Sequence, residues 1–111
     1  MKTIISGSRT ITDISILYAL SIPWTITEVV SGGAHGVDMI GEEFAFDMNI
    51  PVMRFPANWT KFGRVAGHVR NAEMAAYADA LIAIWDGCSK GTANMIDLAR
   101  AKGLKIHVEM V

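Results

Sequence analysis

The chain has a single cysteine, Cys88, and no surplus of either charge, with 10 Lys and Arg against 11 Asp and Glu and a net charge of −1 over 111 residues. One thiol excludes an internal disulfide framework and gives no metal-ligand spacing; no metal and no resident cofactor is expected. The missing basic excess argues against dedicated nucleic-acid binding, because phosphate contacts carry most of that affinity. Long hydrophobic runs are also missing. The longest, Ala80 to Trp85, falls far short of the ~20 residues that span a membrane. The opening Met1-Lys2-Thr3-Ile4-Ile5 reaches Ser6-Gly7 too soon for the apolar region of a signal peptide. Repeats, low-complexity segments and linkers are absent, and the length suits one domain. The expectation is a single cytoplasmic domain over residues 1–111 with no membrane contact.

What is present is an alternation of strand-like and helix-like segments. Lys2 to Ser6 reads as a strand, Asp13 to Ser21 as a helix, and Thr27 to Ser31 as a second strand. Val37, Ile40, Gly41, Phe44, Ala45 and Met48 then fall on one helical stripe. Pro51 to Phe55 reads as a third strand, Pro56 to Ala66 as a long loop, and Gly67 to Ala78 as a helix. Ala80 to Trp85 is apolar at every position, as a parallel strand covered on both faces requires. A last helix from Thr92 to Lys102 is closed by Gly103 at a left-handed cap position, and Lys105 to Val111 is the fifth strand. This pattern predicts an α/β, Rossmann-like three-layer domain with a five-stranded, mainly parallel sheet and helices on both faces.

In such a sheet, ligands bind beyond the carboxyl ends of the strands. Three glycine-containing loops belong at that edge: Gly7-Ser8-Arg9-Thr10, Ser31-Gly32-Gly33-Ala34-His35-Gly36-Val37-Asp38 and Asp86-Gly87-Cys88-Ser89-Lys90-Gly91-Thr92. Glycines bring backbone N–H groups close to an anion, and the helix N-termini that follow add unpaired donors and partial positive charge. Ser8, Ser31, Ser89 and Thr92 offer hydroxyls, and Arg9 offers a bidentate phosphate contact. Any one such loop is more often a tight turn, and the serines and Thr92 also serve as helix caps. The convergence of three is what points to a phosphate-bearing ligand. Neither G-x-G-x-x-G nor the Walker pattern is present.

Arg70 stands on the core-facing stripe that continues to Met74, at the end nearest that edge, and should point into the site. The competing reading is a rim salt bridge with Glu73 or Asp79. Trp59 and Phe62, just before that helix, either stack on a base or anchor their loop. His35 and His68 are phosphate donors or proton carriers, or structural hydrogen-bonders. Met39 and Phe46 fall off the buried stripe of their helix and suggest an apolar patch for homo-oligomer contact.

These motifs, together with P-A-N-W…G-R-V-A-G-H-V-R-N-A-E-M…A-D-A-L-I-A-I-W-D-G-C-S-K-G-T from Pro56 to Thr92, resemble the SLOG superfamily, and most nearly its small YspA/YpsA-related branch. The resemblance implies a Rossmannoid fold and a pocket for nucleotides or nucleotide-derived ligands. Two other branches extend it. The Lonely Guy phosphoribohydrolases carry an arginine and, four residues on, a methionine, as at Arg70 and Met74, followed by P-G-G-x-G-T-x-x-E. Here Asp86 to Thr92 takes the place of the glycine turn, and Met95 stands where the catalytic glutamate belongs, leaving Asp38 and Asp86 as the acids and Arg70 as the cation available for catalysis. The Smf-type DNA-processing proteins share G-S-R, S-G-x-A-x-G-x-D and an R-N matching Arg70-Asn71, which raises single-stranded DNA binding as a further reading.

The leading expectation is therefore a binder of a nucleotide-like small molecule, such as ADP-ribose, a nucleoside monophosphate or a cyclic signalling nucleotide, acting as sensor or sponge. The alternative is hydrolysis of a nucleotide N-glycosidic bond.

Overall fold

The computed structural model describes residues 1–111 throughout. Its five strands are β1 (Lys2–Gly7), β2 (Glu28–Ser31), β3 (Val52–Arg54), β4 (Ala80–Trp85) and β5 (Lys105–Met110). All pairs are parallel, in the order β3-β2-β1-β4-β5. The helices are α1 (Ser15–Tyr18), α2 (Val37–Asp47), α3 (Trp59–Phe62), α4 (Ala66–Tyr77) and α5 (Lys90–Ala101), with a 3₁₀ turn at Gly63–Val65. This is the expected Rossmann-like α/β fold, and no helix is long and apolar enough to cross a membrane.

Successive residues of each central strand serve opposite faces. Ile4, Val30, Leu81 and Ala83 pack with Met74, Ala75, Met95, Ile96 and Ala99 of α4 and α5. Ile5, Val29, Ile82 and Ile84 pack with Leu17 of α1 and Val37, Ile40 and Ala45 of α2. Burial on both faces explains why β4 is apolar at every position.

The first crossover departs from expectation. In place of a helix from Asp13 to Ser21, α1 is one turn, started by the Asp13 carboxylate, which accepts from the Ser15 N–H at 3.0 Å. From Ser21 to Thr27 burial alternates residue by residue, with Ile22, Trp24 and Ile26 inward. That period of two favours an extended chain over a helix, and Trp24 Nε1 pins it by donating to Thr3 Oγ1 at 3.0 Å.

The expected loop from Pro56 to Ala66 also contains structure, because Asn58 Oδ1 accepts from the Lys61 N–H at 3.0 Å and caps α3. Met48, expected on the buried stripe, is the C-cap of α2 and is 52% exposed. The α5 helix begins at Lys90 rather than Thr92, since Ser89 is its N-cap.

Candidate functional site

The sheet order reverses between β1 and β4, where crevices form beyond the strand ends. A polar cleft of about 230 Å³ opens there. It takes Ser6, Gly7 and Arg9 from β1 and its loop, Ala34 from the second loop, Asp38 from the first turn of α2, and Ser89, Gly91 and Thr92 from the start of α5. Trp59, Arg64, Gly67, His68, Arg70 and Asn71 supply the remaining wall. An adjoining lobe of about 260 Å³ shares Arg9, Ala34, Trp59 and Arg70 and adds Gly32, Gly33, Arg54, Pro56 and Ala57. Trp59, 56% exposed, thus stands where the lobes meet.

Arg70 reaches inward as expected and forms no ion pair with Glu73 or Asp79. Its Nη1 donates to the Gly32 carbonyl at 2.7 Å, and its Nε donates to Asn71 Oδ1 at 3.0 Å. Asn71 Nδ2 in turn donates to Asn94 Oδ1 at 3.0 Å and to the Gly91 carbonyl at 3.3 Å, fastening α4 to the head of α5. At that head, Ser89 Oγ accepts from the Thr92 N–H at 3.4 Å and the Thr92 hydroxyl at 3.0 Å. The N–H groups of Lys90 and Gly91 have no partner within the chain. They are the unpaired donors of a helix N-terminus, and Gly91 lines the cleft together with Arg9, Arg64 and Arg70.

The start of α2 behaves differently. Gly36 takes φ 80°, and a Cβ there would lie 2.4 Å from the Ser8 carbonyl oxygen, so this tight approach requires glycine. The same carbonyl accepts from the Val37 N–H at 3.3 Å. Asp38 fills the first turn, 5% exposed, and its Oδ2 accepts from the Ala34 N–H at 3.2 Å. Burial pushes the Asp38 carboxyl up to about 6, against the opposing pull of the Ala34 N–H and Arg70; Glu42 adds to the rise and Arg9 opposes it. The N-terminus of α2 therefore faces a carbonyl and an acid, and the anion-ready helix terminus is that of α5.

Of the sequence-selected residues, the two lobes unite Gly7, Arg9, Gly32, Gly33, Ala34, Asp38, Trp59, Arg70, Asn71, Ser89, Gly91 and Thr92. The rest lie elsewhere. Ser8 is 1% exposed, and its hydroxyl accepts from the Asp86 N–H at 3.2 Å, tying the first and third loops together. Ser31 is fully buried and donates to Glu42 at 2.5 Å. Burial opposes ionisation of Glu42, but its bonds from Arg54 and Ser31 outweigh this and hold it below the usual carboxylate range. His35 and Gly36 line a separate groove along the outer face of α2, with Met39 and Phe46. Thr10 is exposed and lines neither lobe. Asp86 caps its own turn, its Oδ1 accepting from Cys88 and Ser89, and these bonds hold its carboxyl below the usual range. Gly87 packs near Met110, outside both lobes. Met74 is 1% exposed and is a core residue, as is the fully buried Met95.

Sequence reasoning passed over Arg54, whereas His68, read as a phosphate donor or a structural hydrogen-bonder, does line the cleft together with Arg64. Arg64, Gly67, His68 and Asn71 recur at three- and four-residue intervals, a polar stripe that was readable as one wall.

No solved structure matches the chain. The Gene 61 protein of Mycobacterium phage D29 is 36% identical over 84 residues, covering 70% of this chain and 67% of that protein. Residues 1–62, more than half of the chain, match the family described as YAcAr, the YspA, cpYpsA-related SLOG family. With the glycine loops, the parallel sheet and the cleft at its reversal point, this domain belongs to the YspA/cpYpsA-related SLOG family.

Proposed function

We propose that the domain binds a nucleotide or nucleotide-derived ligand, such as ADP-ribose, a nucleoside monophosphate or a cyclic signalling nucleotide, as a sensor or sponge. Family membership supports nucleotide-related chemistry in general. The observation that carries the finer reading is the cleft itself, which Arg9, Arg64 and Arg70 line together with Gly91, whose N–H at the head of α5 has no partner in the chain. Cations and helix-terminal donors together suit a phosphate. Trp59 offers the base a stacking surface where the lobes meet.

Hydrolysis of an N-glycosidic bond is the second reading, favoured by the buried acid Asp38 in the same cleft. Against it stands Met95, apolar and sealed in the core at the position where phosphoribohydrolases carry glutamate. Calorimetry against a nucleotide panel, followed by chromatography of the mixtures, separates the two. A binding isotherm with the ligand recovered intact supports the binder, and release of free base overturns it. Salt-sensitive binding of oligonucleotides without mononucleotide binding overturns both.

The exposed Phe46 (82%) and Met39 (44%) on the outer face of α2 support contact between copies of the chain there. Light scattering of the wild type and Phe46→Ser tests this, and a monomeric wild type rejects it.

A further inference from the structure

Asp38 is the only carboxylate on the walls of the cleft, among three arginines and a histidine. Its Oδ2 is held by the Ala34 N–H, whereas its Oδ1 accepts no hydrogen bond from the chain and is not sealed from solvent. Arg70 is committed to Gly32 and Asn71, and neither Arg70 nor Arg9 forms an ion pair with Asp38. An acid in this position repels a phosphate and attracts a hydrogen-bond donor. The cleft of about 230 Å³ equals roughly eight waters at ~30 Å³ each. It therefore admits a phosphate and the group attached to it, while a base has the second lobe beside Trp59. In a nucleotide, the donors attached next to the phosphate are sugar hydroxyls.

Resting on the nucleotide-binding reading, we infer that Asp38 accepts a hydrogen bond from a ribose hydroxyl of the ligand, so that the site selects ribonucleotides over deoxy analogues. A built acceptor left unpaired by an analogue discriminates far more strongly than a change of shape does. The groups that face this carboxyl are Glu42 on its own helix, Arg9 from the β1 loop, and Arg64, His68 and Arg70 across the cleft. The upward-shifted ionisation of Asp38 adds a pH signature, because a neutral carboxyl gives up the charge-assisted bond.

The test is calorimetry with ribose 5-phosphate, its 2-deoxy and 3-deoxy analogues, AMP and pyrophosphate, using the intact chain, Asp38→Asn and Asp38→Ala. In the wild type at pH 7.5, at least one deoxy sugar phosphate should bind about ten- to hundredfold more weakly than ribose 5-phosphate. That ratio should narrow at pH 5 and collapse in Asp38→Ala, while pyrophosphate binds the variant at least as well as the wild type. If pyrophosphate and AMP bind but all three sugar phosphates bind alike, the inference fails and the phosphate reading stands. If neither AMP nor pyrophosphate binds the wild type, the nucleotide reading fails and takes the inference with it.

Discussion

Arg70 and Asn71 are neighbours in sequence that act as one unit across two helices. The Arg70 Nε donates to Asn71 Oδ1 at 3.0 Å, and the Asn71 amide reaches Gly91 and Asn94 of α5. The guanidinium is thus held at the angle that presents it to both lobes. Asn71→Ala should weaken nucleotide binding about tenfold and lower stability by about 1–3 kcal/mol, since it unpairs groups in a 6% exposed site. Arg70→Ala should cost more affinity, about ten- to hundredfold, with a smaller loss of stability. Calorimetry and thermal unfolding of both variants check the split. Equal affinities would detach the pair from binding.

Gly91 permits a cleaner obstruction. A Cβ built there meets nothing within 4 Å, so a side chain enters open space beside the cleft rather than the core. Gly91→Leu should therefore fold, melt within a few degrees of the wild type, and lose about tenfold or more in nucleotide affinity. Undiminished affinity in a folded Gly91→Leu would move the ligand away from the head of α5.

Asp38 links the site to stability. Its folded ionisation, pushed up to about 6 by burial, lies above its ordinary value of 3.8, so the folded state holds the proton more tightly. The resulting stability is present below about pH 4 and is lost as pH rises through about 6. Asp38→Asn, which keeps an acceptor for the Ala34 N–H, should therefore exceed the wild type in stability at pH 7 by on the order of 1–3 kcal/mol. The gain should vanish near pH 4. Urea titrations at the two pH values measure it, and a variant less stable at pH 7 would contradict the assignment.

Gly36 is the least replaceable residue of the second loop. With φ 80° and the Ser8 carbonyl 2.4 Å from the position of a Cβ, Gly36→Ala should destabilise by at least about 1–3 kcal/mol. Denaturant midpoints would show it. A neutral outcome would mean that the β1 loop yields easily.

The sequence made legible those features that depend on local pattern. The apolar run of β4 and the stripe of α2 located both elements to within a residue or two, because burial on defined faces repeats along the chain. Arg70 was readable for the same reason, as a charge on an otherwise apolar stripe. Contacts between distant segments were not readable. Ser8 and Asp86 are 78 positions apart, and only the fold shows that the Ser8 hydroxyl ties the first loop to the third. His35 belongs to a motif whose neighbours line the cleft, yet a reversal at Gly36 carries it to the other side of α2. The truncated α1 escaped because its apolar residues are numerous enough to suggest a helix, while the alternation of Ile22, Trp24 and Ile26 follows a strand period.

The placement of β1 between β2 and β4 makes the cleft a seam. One wall comes from the β1 and β2 loops and the other from α3, α4 and α5, and neither half of the chain owns a complete pocket. The family match over residues 1–62 therefore takes in the first wall and Trp59 of the second, but not Arg64, His68, Arg70 or the head of α5. A ligand lying across the seam clamps two parts of the fold that must otherwise hold together through the β1–β4 ladder and the packing around it. At a hundred times its Kd, such a ligand would add about 2.7 kcal/mol to that union. A filled pocket would then add a further fastening between the first half of the chain and the second, beside that ladder.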